Sequence, residues 1–110
     1  MESVAITGLG VISSLGQSFE GFKQNLSAGK GKAGPSPWSH VPHLERCWVS
    51  LVDGFEPEKW MEDRVARNTT TFTHYAIAAA VQAVEDAGIE EFDPLRTAVV
   101  IGSCFAGWDE

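Results

Sequence analysis

Apolar and polar positions along the chain follow two periodicities, and they divide it into short elements. Val4-Ala5-Ile6-Thr7 is a β-rich run that ends at Gly8-Leu9-Gly10, where the backbone is free to turn sharply. A second apolar pair, Val11-Ile12, leads into a loop at Ser13, Ser14 and Gly16. Ser18 has the chemistry of an N-cap, and Phe19, Phe22 and Leu26 recur at i, i+3 and i+7 up to Gly29, which predicts a helix. Residues 47–52 alternate well enough for a strand. Pro57, between Glu56 and Glu58, marks a short helix start that runs to Met61 and into the polar stretch 62–68.

The strongest helical pattern covers 71–87. Phe72, Tyr75, Ala76, Ala79, Ala80, Ala83, Val84 and Ala87 make its apolar face, and Gly88 supplies the C-cap. So many alanines on one helix let its neighbours approach closely. Residues 97–101, Thr-Ala-Val-Val-Ile, form a continuous apolar run of strand length, the pattern of a strand covered on both faces. The run enters Gly102-Ser103-Cys104-Phe105-Ala106-Gly107, and the sequence stops three residues later. A buried strand aimed at a glycine-rich loop ordinarily continues into another element, so the chain reads as cut in the middle of a fold.

Composition narrows the function classes. A length of 110 residues fits one small domain and not two independent ones. Eight basic against fifteen acidic residues give a net charge of −7, which argues against a chain-wide nucleic-acid surface or a polybasic membrane anchor. The apolar runs are far shorter than the ~20 residues a membrane helix needs. The acidic N-terminus carries no signal-peptide pattern, and two cysteines without a secretory context read as reduced cytosolic thiols. Residues 30–42, rich in Gly, Pro, Ser, Lys and His, form the one long irregular loop.

Each candidate for chemistry has a plain structural reading beside it. Gly8-Leu9-Gly10 lacks the third glycine of a dinucleotide fingerprint, since Ser13 stands there, and lacks the later acid; a structural glycine turn is favoured. His40, His43 and Cys47 have no common zinc spacing and no evident fourth ligand, so no metal and no cofactor is expected. Cys104 follows a strand in a Gly-x-Cys-x-Ala setting, which opens the reading of a small thiol hydrolase. A small hydrophobe in a packed turn fits it better, because no helix N-terminus or base is in view. Arg64 and Arg67, with Lys59 upstream, are either an ordinary solvated surface or a local dock for an acidic partner.

Taken together, these segments resemble the N-terminal part of the β-ketoacyl-acyl-carrier-protein synthases, the condensing branch of the thiolase-like enzymes. The opening run from Val4 to Ser13 followed by Leu15-Gly16, the helix end Leu26-Ser27-Ala28-Gly29-Lys30, the Ala-rich helix from Phe72 to Gly88, and the strand from Thr97 into Ser103 resemble the family's segments in order. The resemblance implies an α/β fold, an incomplete N-terminal portion of a thiolase-like αβαβα arrangement, with residues 1–110 as a single partial ketoacyl-synthase N-terminal domain. It implies a decarboxylative condensation of acyl and malonyl thioesters in fatty-acid or polyketide synthesis, performed by a cysteine nucleophile and two histidines.

No motif of that cysteine type occurs here, so by resemblance the catalytic set contains none of these 110 residues and the chain alone is inactive. Phe105 is placed by the resemblance in the acyl pocket as a substrate-binding residue. Arg64 and Arg67 are placed where basic residues dock the acidic acyl carrier protein. Cys104 and Ala106 stand where the family has glycines, and Asn68, Thr70 and Thr71 replace a base and an Asp-Arg pair. The implied partners are the carrier protein and a second chain of a homo- or heterodimer, with no nucleic acid and no membrane. A non-catalytic fragment that binds a carrier protein or pairs with a partner chain is the reading from a different class.

Overall fold

The computed structural model describes residues 3–104. It comprises two compact units, Val11–Phe55 and Met1–Gly10 with Glu56–Glu110. No helix among the described residues is long and apolar enough to cross a membrane.

In the unit Val11–Phe55, helix α1 spans Phe19–Ser27. Ser18 is extended (φ −151°) and its Oγ accepts the Gly21 N–H at 3.2 Å, satisfying one of the amides a helix leaves unpaired at its start. The following irregular segment is more ordered than its composition implies. Three successive turns close with Val41, Leu44 and Cys47 amides donating to the carbonyls of Trp38, Val41 and Leu44. They bring Gly34–Pro35 (β1) beside Trp48–Val49 (β2) as a two-residue antiparallel pair, with Gly34 opposite Val49 and Pro35 opposite Trp48. The strand expected at 47–52 is thus reduced to two residues, because its partner offers only two positions and one is proline, which has no amide to donate.

The other unit is organised by helix α3, Thr71–Ala87, at the bounds its periodicity predicts. Gly88 caps it at φ 64°. Its amide donates to Glu85 O and the Ile89 amide donates to Val84 O, the paired closure of a Schellman end. Ala78 is fully buried, whereas Phe72 and Ala80, assigned by spacing to the apolar face, are exposed. Ahead of α3 lie a single 3₁₀ turn, Pro57–Lys59, in place of the expected short helix, and α2, Asp63–Asn68. The polar stretch at 62–68 is therefore helical. Arg64, Ala66 and Arg67 are good helix formers, an acid stands in the first turn and a base in the last, and half-buried Val65 and Ala66 give the short helix an inner side.

Residues 3–10 join no sheet; Gly8 to Gly10 pass against α3, while Val4 and Ile6 stay exposed. The expected turn at Gly8 and Gly10 is absent, since neither glycine adopts a positive φ. Both are needed for proximity instead. A Cβ on Gly8 would collide with the Ala83 carbonyl oxygen and stand 2.9 Å from the Ala87 Cβ; one on Gly10 would collide with the Ala79 carbonyl oxygen and stand 2.9 Å from the Ala83 nitrogen. The register has a simple origin. Two extended residues advance about 6.6 Å, close to the ~6.0 Å rise of four helical ones, so every second residue of the segment meets every fourth of the helix. Leu9, between the glycines, donates its amide to Asp86 Oδ2 at 2.9 Å.

The run at 97–101, expected as a strand buried on both faces, forms no strand here. Val99 and Val100 are 83% and 92% exposed. An extended segment closes its hydrogen bonds only through a neighbouring strand, and none lies beside it among the described residues.

Candidate functional site

The Gly8–Gly10 segment has no room for a phosphate. The face that a dinucleotide cradle would open is filled by the backbone of α3, and the Leu9 amide, which an anion would need, already serves the Asp86 carboxylate. His40, His43 and Cys47 fall in the turns between β1 and β2. The Cys47 Sγ lies 3.5 Å from the His43 carbonyl as a weak donor, and no set of three His, Cys, Asp or Glu side chains among the described residues is arranged to hold a metal. Cys104 is a free, exposed thiol; among the described residues nothing hydrogen-bonds to it, so no base is in place to activate it. Phe105 lies outside the described residues.

A polar cleft of about 450 Å³ in the unit Val11–Phe55 was not foreseen, because its lining comes from positions up to 40 residues apart, among them Ser14, Asn25, Lys32 and Asp53. Its polar groups are largely engaged with one another. Lys32 Nζ pairs with Asp53 Oδ2 at 2.7 Å, Ser14 and Ser50 hydroxyls share a 2.6 Å bond, and Asn25 donates to Leu15 O while accepting from Lys30. That satisfied network joins the loop at Ser14 and Leu15 to α1 and to the return from β2, which is a structural task.

The charged face of α2 differs. Lys59 is neutralised by Glu56 at 2.8 Å, and Arg67 by Asp63 at 2.6 Å across one helical turn. Arg64 is exposed and, among the described residues, has no ion pair. The two arginines singled out by spacing are therefore unequal: Arg64 presents its full charge, whereas Arg67 shares it.

The C-terminal carbonyls of α2, which a helix cannot satisfy itself, are taken up by side chains. Asn68 Nδ2 donates to Arg64 O and Thr69 Oγ1 to Val65 O, each at 2.6 Å, and His74 Nε2, from the first turn of α3, lies 3.0 Å from Ala66 O. Neither α2 nor this closure was read from the pattern. The available signal was Asp63 four positions before Arg67, the spacing of a helical ion pair.

With this geometry in hand, the comparisons with known proteins decide the family. The sequence matches the family described as beta-ketoacyl synthase, N-terminal domain, over residues 1–110. The chain belongs to the β-ketoacyl synthase family. Among named relatives, the 3-oxoacyl-[acyl-carrier-protein] synthase 2 of Vibrio cholerae is 34% identical over 106 residues, 94% of this chain and 26% of that protein. Its namesake from Coxiella burnetii is 35% identical over the same coverage. A Streptomyces coelicolor protein provisionally named a polyketide beta-ketoacyl synthase is 34% identical over 82 residues, 74% of this chain and 19% of its own. This β-ketoacyl synthase chain thus spans about a quarter of the length of the two 3-oxoacyl synthases it matches.

Proposed function

We propose that the chain is the N-terminal part of a condensing enzyme whose complete form extends acyl chains by decarboxylative condensation of acyl and malonyl thioesters. What carries the reading is the end-to-end match of residues 1–110 to the family's N-terminal domain. On this reading the chain is one partial domain of a thiolase-like αβαβα fold in a homo- or heterodimer. In the reaction, a cysteine elsewhere in the complete protein takes the acyl group from its carrier, releasing the carrier thiol. Loss of carbon dioxide from the malonyl thioester leaves an enolate that attacks the acyl-enzyme carbonyl. The cysteine thiolate then departs as the ketoacyl product forms. Residues 1–110 supply scaffold, pocket wall and docking surface rather than catalytic groups.

The docking part of the reading rests on α2. An exposed Arg64 without an ion-pair partner among the described residues is a suitable contact for an acidic carrier, in a chain whose net charge of −7 otherwise repels one. The complete protein should form ketoacyl product from acyl- and malonyl-carrier substrates, and residues 1–110 alone should form none. Product from the 110-residue chain, lost on Cys104→Ser, would overturn the assignment of chemistry.

Phe105 is assigned to the wall of the acyl pocket. In the complete protein, Phe105→Ala should raise the rate of acyl transfer from a long acyl-carrier substrate relative to a short one, about tenfold, the scale of a modest change in pocket fit. An unmoved ratio in a folded variant would make Phe105 a packing residue.

A further inference from the structure

We propose that His74 is a positioning residue for carrier docking: by holding the Ala66 carbonyl it ties the arginine-bearing helix α2 to α3. This rests on the docking role given above to Arg64. A helix of six residues is far below the length that holds itself in water, so the orientation of α2 must come from outside it. Of the three side chains that close its C-terminus, Asn68 and Thr69 reach back four residues and travel with the helix. His74 alone among them belongs to another element, eight residues on, in a helix of seventeen residues closed by its own glycine cap. Between the two helices lie only Thr69 and Thr70, both extended (φ −134° and −93°). Thr70 is tied to α3, its hydroxyl 3.3 Å from that of Thr73 and its carbonyl accepting the His74 amide, while α2 itself rests on the 3₁₀ turn and on half-buried Val65 and Ala66. To these contacts the His74 ring adds a directional bond from α3 to the backbone of α2.

A carbonyl oxygen can only accept, so Nε2 carries the proton in this contact; the neutral Nε2–H tautomer and the imidazolium both donate it. The bond thus braces α2 against α3. Losing it frees α2 to swing about residues 69 and 70, which scatters the direction of Arg64 without touching any reacting group. The consequence belongs in recognition of the carrier and not in the chemical step.

The experiment uses the complete synthase and two acyl donors, one on the carrier protein and one on free pantetheine. His74→Phe keeps a ring and removes the donor; His74→Gln keeps an amide donor of similar reach. His74→Phe should raise KM for the acyl-carrier substrate roughly fivefold, the scale of one hydrogen bond, with kcat and the KM of the pantetheine substrate unchanged. His74→Gln should restore most of the loss, and Thr69→Val, which removes only a local cap, should leave KM for the carrier within about twofold of the parent. Should His74→Phe not fold, His74→Asn, too short to reach Ala66, reads the same comparison. Arg64→Glu separates the two layers of the argument. If Arg64→Glu raises KM for the carrier and His74→Phe does not, the brace is wrong and docking stands; if neither does, docking through α2 is itself wrong. Equal losses on both donors, or an effect of Thr69→Val as large as that of His74→Phe, would reduce His74 to a general structural role.

Discussion

Helix α3 and the run at 97–101 lie in the same unit, are both rich in apolar residues, and are completed to very different degrees. Along α3, Ala79, Ala83 and Ala87 sit under a glycine segment so close that no Cβ fits between them. At 97–101 the valines point into open space, with Val100 92% exposed. The difference is one of hydrogen-bond accounting. A helix closes its backbone bonds within its own sequence and needs a neighbour only for its side chains, so α3 is whole with no more than Gly8 to Gly10 laid against it. A strand needs a neighbour for its backbone as well, and an apolar run without one stays extended and bare.

Substitutions at the glycine seam should show the largest effect. Gly10→Val drives a branched side chain into the Ala79 carbonyl and should destabilise the chain by about 3 kcal/mol, the upper part of the overpacking range, read as a lower thermal unfolding midpoint by circular dichroism. A variant as stable as the parent would show that the seam is not close-packed. A middle effect is expected at the end of the helix. Gly88→Ala places a Cβ at φ 64°, where nothing crowds it, so only backbone strain is felt and about 1 kcal/mol should be lost. A loss as large as that of Gly10→Val would mean that capping and not the seam holds α3.

The smallest effect on stability belongs to the bare run. Val100→Lys should move the unfolding midpoint by less than ~0.5 kcal/mol, because the side chain is already in water. The same change should lower self-association of the 110-residue chain, measured by light scattering at tens of micromolar, since an exposed apolar edge is a template for pairing and a lysine blunts it. A large loss of stability would instead show Val100 covered in solution and would remove the contrast with α3.

How much of this was legible in the sequence follows the same division. The bounds of α3, its Gly88 cap and the Ser18 cap of α1 were readable because each is decided within a few residues by helical period and capping chemistry. The six-residue α2 escaped because Val65 and Ala66 are its only apolar residues, too few to display a helical period. At the candidate site, spacing pointed to Arg64 and Arg67 together, and only the coordinates showed Asp63 absorbing one of the two charges.

The sequence by itself therefore determined where α1 begins and where α3 begins and ends, and the order of segments by which the β-ketoacyl synthase family is recognised. Tertiary structure alone decided the rest. Gly8 and Gly10 turn out to serve contact and not turning, His74 reaches back to Ala66, and the apolar run at 97–101 lies bare. Each of these depends on a group distant along the chain, and the distance of a partner in space is not written in the residues beside it.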